Sequence, residues 1–133
     1  MEIKNIEPSG HEKIGVYTPA KKIDLGNCYL IFVSGIQAPA KAGTKEVATD
    51  DIAEQTRLVF EDINNILKEA GASLDDVVKA VIYITDMNDF SIVSPIRAEY
   101  FKNSMPTSTL VEVNRFVRKG AKIEIEVTAI KKK

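Results

Sequence analysis

Tyr29-Leu30-Ile31-Phe32-Val33, running into Ser34-Gly35, is the stretch that decides the fold. Aromatic and branched residues in an unbroken run of this length favour a strand. A strand with one face in water alternates polar and apolar side chains. This one is apolar on both faces. Val77–Ile84 repeats the pattern with the single exception of Lys79. Both strands must therefore be covered on two sides.

Outward from the first strand, a loop from Gln37 to Thr49 leads into the clearest helix, Asp50–Ala70. Ile52, Thr56, Val59, Ile63, Ile66 and Ala70 recur at threes and fours, the spacing of one helix face. Thr49 or Asp50 can cap its first amides, and Gly71 can stop it in a left-handed turn. A second helix is predicted from Asn88 or Asp89 to about Lys102, with Pro95 close to its first turn. Two alternating strands follow, Ser108–Val113 and Lys122–Ile130, and the terminal lysines read as a frayed tail. Short edge strands are predicted near 14–17 and 21–24. The order ββ-β-α-β-α-β-β defines an α+β fold, a single mixed sheet with two helices packed on one face. Two helices leave the other face bare, so pattern alone predicts a homo-oligomer.

The chain has 133 residues, eighteen basic and nineteen acidic, with a formal charge of -1. That length suits one domain over 1–133, and the balance disfavours a partner held by bulk charge, nucleic acid included. No apolar run approaches the roughly 20 residues that span a bilayer. Cys28 is the only cysteine, which excludes an intrachain disulfide, fits a reducing cytoplasm and reads as a small buried hydrophobe. His11 is the only histidine. No ligand spacing for a metal occurs, so neither a metal nor another cofactor is expected. The chemistry-bearing candidates are carboxylates set in apolar strands, Glu112, Glu124 and Glu126. A carboxylate in a solvent-poor cleft gains the raised pKa that proton transfer needs. Tyr17 and the Ser34-Gly35 turn could add hydrogen-bond donors.

Four segments taken together carry a resemblance. They are Gly15-Val16-Tyr17, Val33-Ser34-Gly35 with Gln37, Thr85–Phe90, and Pro106–Glu112 followed by Lys122–Glu126. In order and spacing the chain resembles the YjgF/YER057c-type Rid family of reactive-intermediate deaminases, also labelled L-PSP endoribonucleases, over about Pro8 to Ile130. The resemblance implies a chorismate mutase-like (YjgF-like) fold in a homotrimer whose sheets form a central barrel, with ligand clefts between subunits. It implies hydrolysis of small imines or enamines, of the 2-iminobutanoate and 2-iminopropanoate kind, to a carbonyl compound and ammonia. Carried over by position, Tyr17 and Glu124 are the catalytic candidates. Gly35, Ile36, Ser108 and Thr109 are the substrate-binding candidates.

One departure stands out. Active members resemble one another in an arginine two residues after the proline of the penultimate strand, where it pairs with the substrate carboxylate; here that position is Ser108. A guanidinium fork makes two charge-assisted bonds where a serine offers one neutral donor. Arg115, Arg118 and Lys122 are the candidate substitute charges, against the plainer reading of a solvated turn at Arg118-Lys119-Gly120. Two alternatives to a deaminase acting on a non-standard imine stay open. One is a non-catalytic trimer that binds a small metabolite or regulates another protein. The other is an endoribonuclease or translation inhibitor, which the neutral charge and the lack of aromatic-basic interleaving disfavour.

Overall fold

The six strands hydrogen-bond into one mixed sheet, seen in a computed structural model that describes residues 1–133. The elements are β1 (Ile3–Ile6), β2 (Ala20–Asp24), β3 (Cys28–Gln37), α1 (Ile52–Glu69), β4 (Val77–Ile84), α2 (Phe90–Phe101), β5 (Thr107–Glu112) and β6 (Ile123–Lys132). Across the sheet they lie in the order β1-β2-β3-β6-β4-β5. Every pairing is antiparallel except β4 with β5, which α2 joins as the crossover of a parallel pair.

The barrel expected from the resemblance is corrected by this topology. Closure requires the first and last strands to pair, and here β1 and β5 are free edges at opposite ends of an open sheet.

Both helices pack on one face, as the pattern demanded. Asp51 caps α1 by accepting from the amides of Ala53 and Glu54. The helix stripe Val59, Phe60, Ile63, Ile66 and Leu67 is fully buried against Ile31, Ile82, Ile84, Ile123 and Ile125 of the sheet. Phe60 stacks on Tyr100 at 4.6 Å and meets Phe101 edge-on at 5.1 Å, which seats α2 beside α1. Pro95 stands six residues into α2, deeper than the first turn.

The other face has no cover within the chain. Phe32 is 46%, Val78 41% and Ile130 41% exposed there.

Four local expectations fail. Residues 14–17 form no strand; the first strand is Ile3–Ile6 instead, and 7–19 run as an irregular strap between β1 and β2. β3 does not end at Ser34-Gly35 but continues to Gln37 through a register shift between Val33 and Ile36. The terminal lysines are not frayed. Lys131 and Lys132 belong to β6, and Lys133 donates its amide to the Asn27 carbonyl while its ammonium sits 2.8 Å from Asp24. Cys28, read as buried, is half-buried at the start of β3.

Candidate functional site

The strap is tied down by its own polar residues. Pro8 to His11 closes a turn, with the His11 amide donating to the Pro8 carbonyl. The His11 ring then lies 3.5 Å from Asp62 on α1. Burial pushes the Asp62 carboxyl above the usual carboxylate range, while His11 and, through space, Arg118 pull it back. At the other end Ser34 donates its hydroxyl to the Thr18 carbonyl at 2.7 Å and its amide to Pro19. The Ser34 side chain is thus spent on fixing the strap. Between these anchors the Tyr17 hydroxyl accepts from the Ile14 amide at 3.2 Å.

Under the strap is a cavity of about 440 Å³, within the range of small-molecule sites. Tyr17, Gly35, Ile36 and Arg118 all line it, with His11 and Asp62.

Arg118 reaches this wall because the β5–β6 connection is pulled inward. Gln55 of α1, fully buried, donates to the Thr49 and Gly120 carbonyls and accepts from the Lys122 amide. Gly120 has φ +82, and a Cβ there would stand 2.9 Å from Val47, so the turn needs glycine on two counts. The solvated turn expected at 118–120 is therefore a docked one, with Arg118 only 8% exposed.

Glu124 lies behind the cavity. Gln37 donates to its Oε1 at 2.9 Å, and the same Gln37 side chain accepts from the Arg118 amide at 3.3 Å. Gly35 is the close approach that allows this, since a Cβ there would meet the Glu124 carboxyl carbon at 2.8 Å. Glu124 stands opposite Tyr83 on the uncovered face, and the Tyr83 hydroxyl donates to Glu126 at 2.7 Å. That bond holds the Tyr83 phenol above its ordinary pKa. Glu112 is engaged elsewhere, accepting from the Met87 amide ahead of α2.

The remaining predicted residues are not at the cavity. Ser108 is in register with Ala80, on the helix-bearing side of edge strand β5, and Thr109 is in register with Val81, on the uncovered side. Arg115 and Lys122 do not line the cavity either. Sequence reasoning missed His11 and Asp62 as a pair. It also missed Arg97, whose guanidinium donates to Ser108 at 3.3 Å and Ser94 at 3.2 Å. Helix spacing puts Arg97 three residues after Ser94, but its reach to β5 depends on the crossover.

An open mixed sheet backed by two helices, with a polar cavity at the strap end, defines a small α+β protein. The Endoribonuclease L-PSP family model matches residues 11–131. The chain is 47% identical over 118 residues to the RutC family protein PYRAB12510 of Pyrococcus abyssi, covering 89% of this chain and 88% of that one. It is 35% identical over 121 residues to TdcF of Escherichia coli K12, a protein named for reactive intermediate deamination, with 89% and 88% covered.

The fold agrees with solved structures. Rv2704 of Mycobacterium tuberculosis, of the YjgF/YER057c/UK114 family, superposes with a TM-score of 0.80 at 32% identity, over 96% of this chain and 98% of that one. The E. coli TdcF structure with bound serine superposes with a TM-score of 0.78 at 34% identity, again over 96% and 98%. The chain belongs to the YjgF/Rid family, the Endoribonuclease L-PSP family of proteins.

Proposed function

We propose that the protein hydrolyses a small imine or enamine to a carbonyl compound and ammonia, in the cavity lined by Tyr17, Gly35 and Ile36. The observation that carries the reading is that these three residues, matched to the family by position, line one enclosure with Glu124 one hydrogen bond behind it through Gln37. An enamine first takes a proton on carbon and gives one up from nitrogen to become an imine. Water then adds to the C=N carbon, the C–N bond breaks, and the nitrogen leaves as ammonia, so one water is consumed per turnover. Glu124 suits the handling of that water. One carboxylate oxygen is held by Gln37, which orients the group and leaves the other oxygen to accept from water. Tyr17 borders the reacting position.

The working unit of this reading is a homotrimer. Its support is the uncovered face carrying Phe32, Val78 and Ile130, too apolar to be left in water across a whole sheet. Packed copies would add residues of a neighbour to the space around Glu124. Such a unit has a mass of about 44 kDa against 14.7 kDa for the single chain.

The test is release of ammonia and keto acid when purified protein meets freshly generated imines from a panel of amino acids. Acceleration that falls at least tenfold in Glu124→Gln is expected. Decay of every imine at its uncatalysed rate would overturn the reading. TdcF, named for the same chemistry and solved with serine, gives the panel its first member.

A further inference from the structure

We propose that Arg118 is the carboxylate anchor of the cavity, supplying from the β5–β6 connection the charge that position 108 lacks. The reaction it would serve rests on the deaminase reading; the binding does not. Arg118 is nine-tenths buried, yet its guanidinium makes one hydrogen bond, from Nη1 to the Ala38 carbonyl at 2.6 Å. Its Nε is fully enclosed without any acceptor, and it forms no ion pair. A buried cation with a single neutral hydrogen-bond partner is costly, because water has been removed and the Asp62 carboxylate acts on it only through space. Such a group calls for an anion, and Arg118 forms part of the cavity wall.

The rival cations are placed worse. Arg97 is held by Ser94 and Ser108 and lies 5.8 Å from the Phe90 ring, away from Tyr17, Gly35 and Ile36. Arg115 and Lys122 do not reach the cavity. The rest of the lining sharpens the ligand class. Glu12, Glu61 and Asp62 line the same cavity as the one guanidinium. That set rejects a simple polyanion and fits a small molecule carrying one carboxylate and one basic nitrogen. A 2-imino acid, with its nitrogen protonated, has both. An arginine fork also prefers a planar carboxylate to a neutral amide of the same shape.

The experiment compares pyruvate with pyruvamide as probes, by NMR titration of the full-length protein. Saturable pyruvate binding that shifts the Arg118 Nε–H resonance is expected, with pyruvamide binding at least tenfold more weakly. Arg118→Met should erase that preference, while Arg97→Ala and Ser108→Ala keep it within twofold. Arg118→Lys retains the charge, so an intermediate affinity guards against Met simply loosening the fold.

An Arg118 resonance unmoved by saturating pyruvate overturns the proposal. So does loss of the preference in Arg97→Ala but not in Arg118→Met. If imines are hydrolysed and Arg118→Met leaves KM within twofold, the anchor fails and the deaminase reading stands. If Arg118→Met abolishes pyruvate binding and no imine is hydrolysed, the anchor stands and the deaminase reading fails.

Discussion

The two faces of the sheet both carry large apolar side chains, and those side chains meet opposite fates. On the helix face Ile82, Ile84, Ile123 and Ile125 are wholly buried, whereas on the other face Phe32 and Ile130 remain more than two-fifths exposed. Along β3 hydropathy cannot distinguish them, because both faces of that strand are apolar, whereas β6 alternates between buried Ile123, Ile125 and Val127 and partly exposed Glu124, Glu126 and Thr128. What separates them is the supply of cover. The chain has two helices, and the β4–α2–β5 crossover puts α2 on the same side as α1. The uncovered face also holds the polar cluster of Glu124, Glu126 and Tyr83. It therefore combines an apolar area that needs a partner with carboxylates set where a partner would enclose them.

One substitution on each face separates the two. Ile125→Ala empties a fully buried site and should cost ~2–5 kcal/mol of unfolding free energy. Phe32→Asp removes nothing from that core. It should leave urea-induced unfolding of the dissociated chain within ~1 kcal/mol of wild type, while light scattering shows a shift from the assembly to 14.7 kDa. Equal losses of stability in the two variants, with no change in mass, would mean that the open face is not an interface.

The next effect lies at the joint between the faces. Gly35→Ala puts a Cβ 2.8 Å from the Glu124 carboxyl carbon, so the carboxylate must shift from the position in which Gln37 holds it. The obstacle is the far end of a side chain, so the stability loss should stay near ~1 kcal/mol. Turnover should fall further than stability does. Thermal unfolding and imine-hydrolysis rates measured on the same preparation separate the two. Activity that survives the substitution would remove Glu124, in its present position, from the mechanism.

Much of this was legible in the residues, and the reasons differ by region. α1 was readable because its apolar residues recur at helical spacing and Gly71 ends it, although its cap is Asp51 rather than the expected Thr49 or Asp50. The doubly apolar β3 and β4 announced a need for cover but not its shape. The barrel inference failed because closure depends on which strands meet at the edges, and no local pattern encodes that. Tyr17, Gly35 and Ile36 were found through their place in a family pattern, and the fold brings them to one cavity. Ser108 and Thr109 fall on opposite sides of β5 because adjacent strand residues always do. Arg118 looked like a solvated turn residue, since its burial depends on Gln55, sixty-three positions earlier in the chain, capturing the 120–122 backbone. The His11–Asp62 pair was not legible, because it joins the strap to α1 across fifty-one positions and no local spacing links them.

The smallest expected effect is a titration on the uncovered face. Tyr83 donates to the Glu126 carboxylate, and this bond favours the protonated phenol and raises its pKa. The folded value lies above the unfolded one, so the bond's contribution to stability is complete below the unfolded tyrosine pKa. It is lost as pH rises through the folded value, above pH 10. Followed by ultraviolet difference absorbance, one of the four tyrosines should ionise later than in the unfolded chain. Glu126→Gln should bring it back toward the ordinary range, because a neutral amide acceptor does not repel the phenolate as a carboxylate does. The same substitution separates the faces once more. The helix-covered core does not contain Glu126, so the unfolding midpoint at pH 7 should move by no more than ~1 kcal/mol equivalent. A larger drop would mean that the polar cluster of the open face supports the core directly, and the two faces would then have to be treated as one cooperative unit.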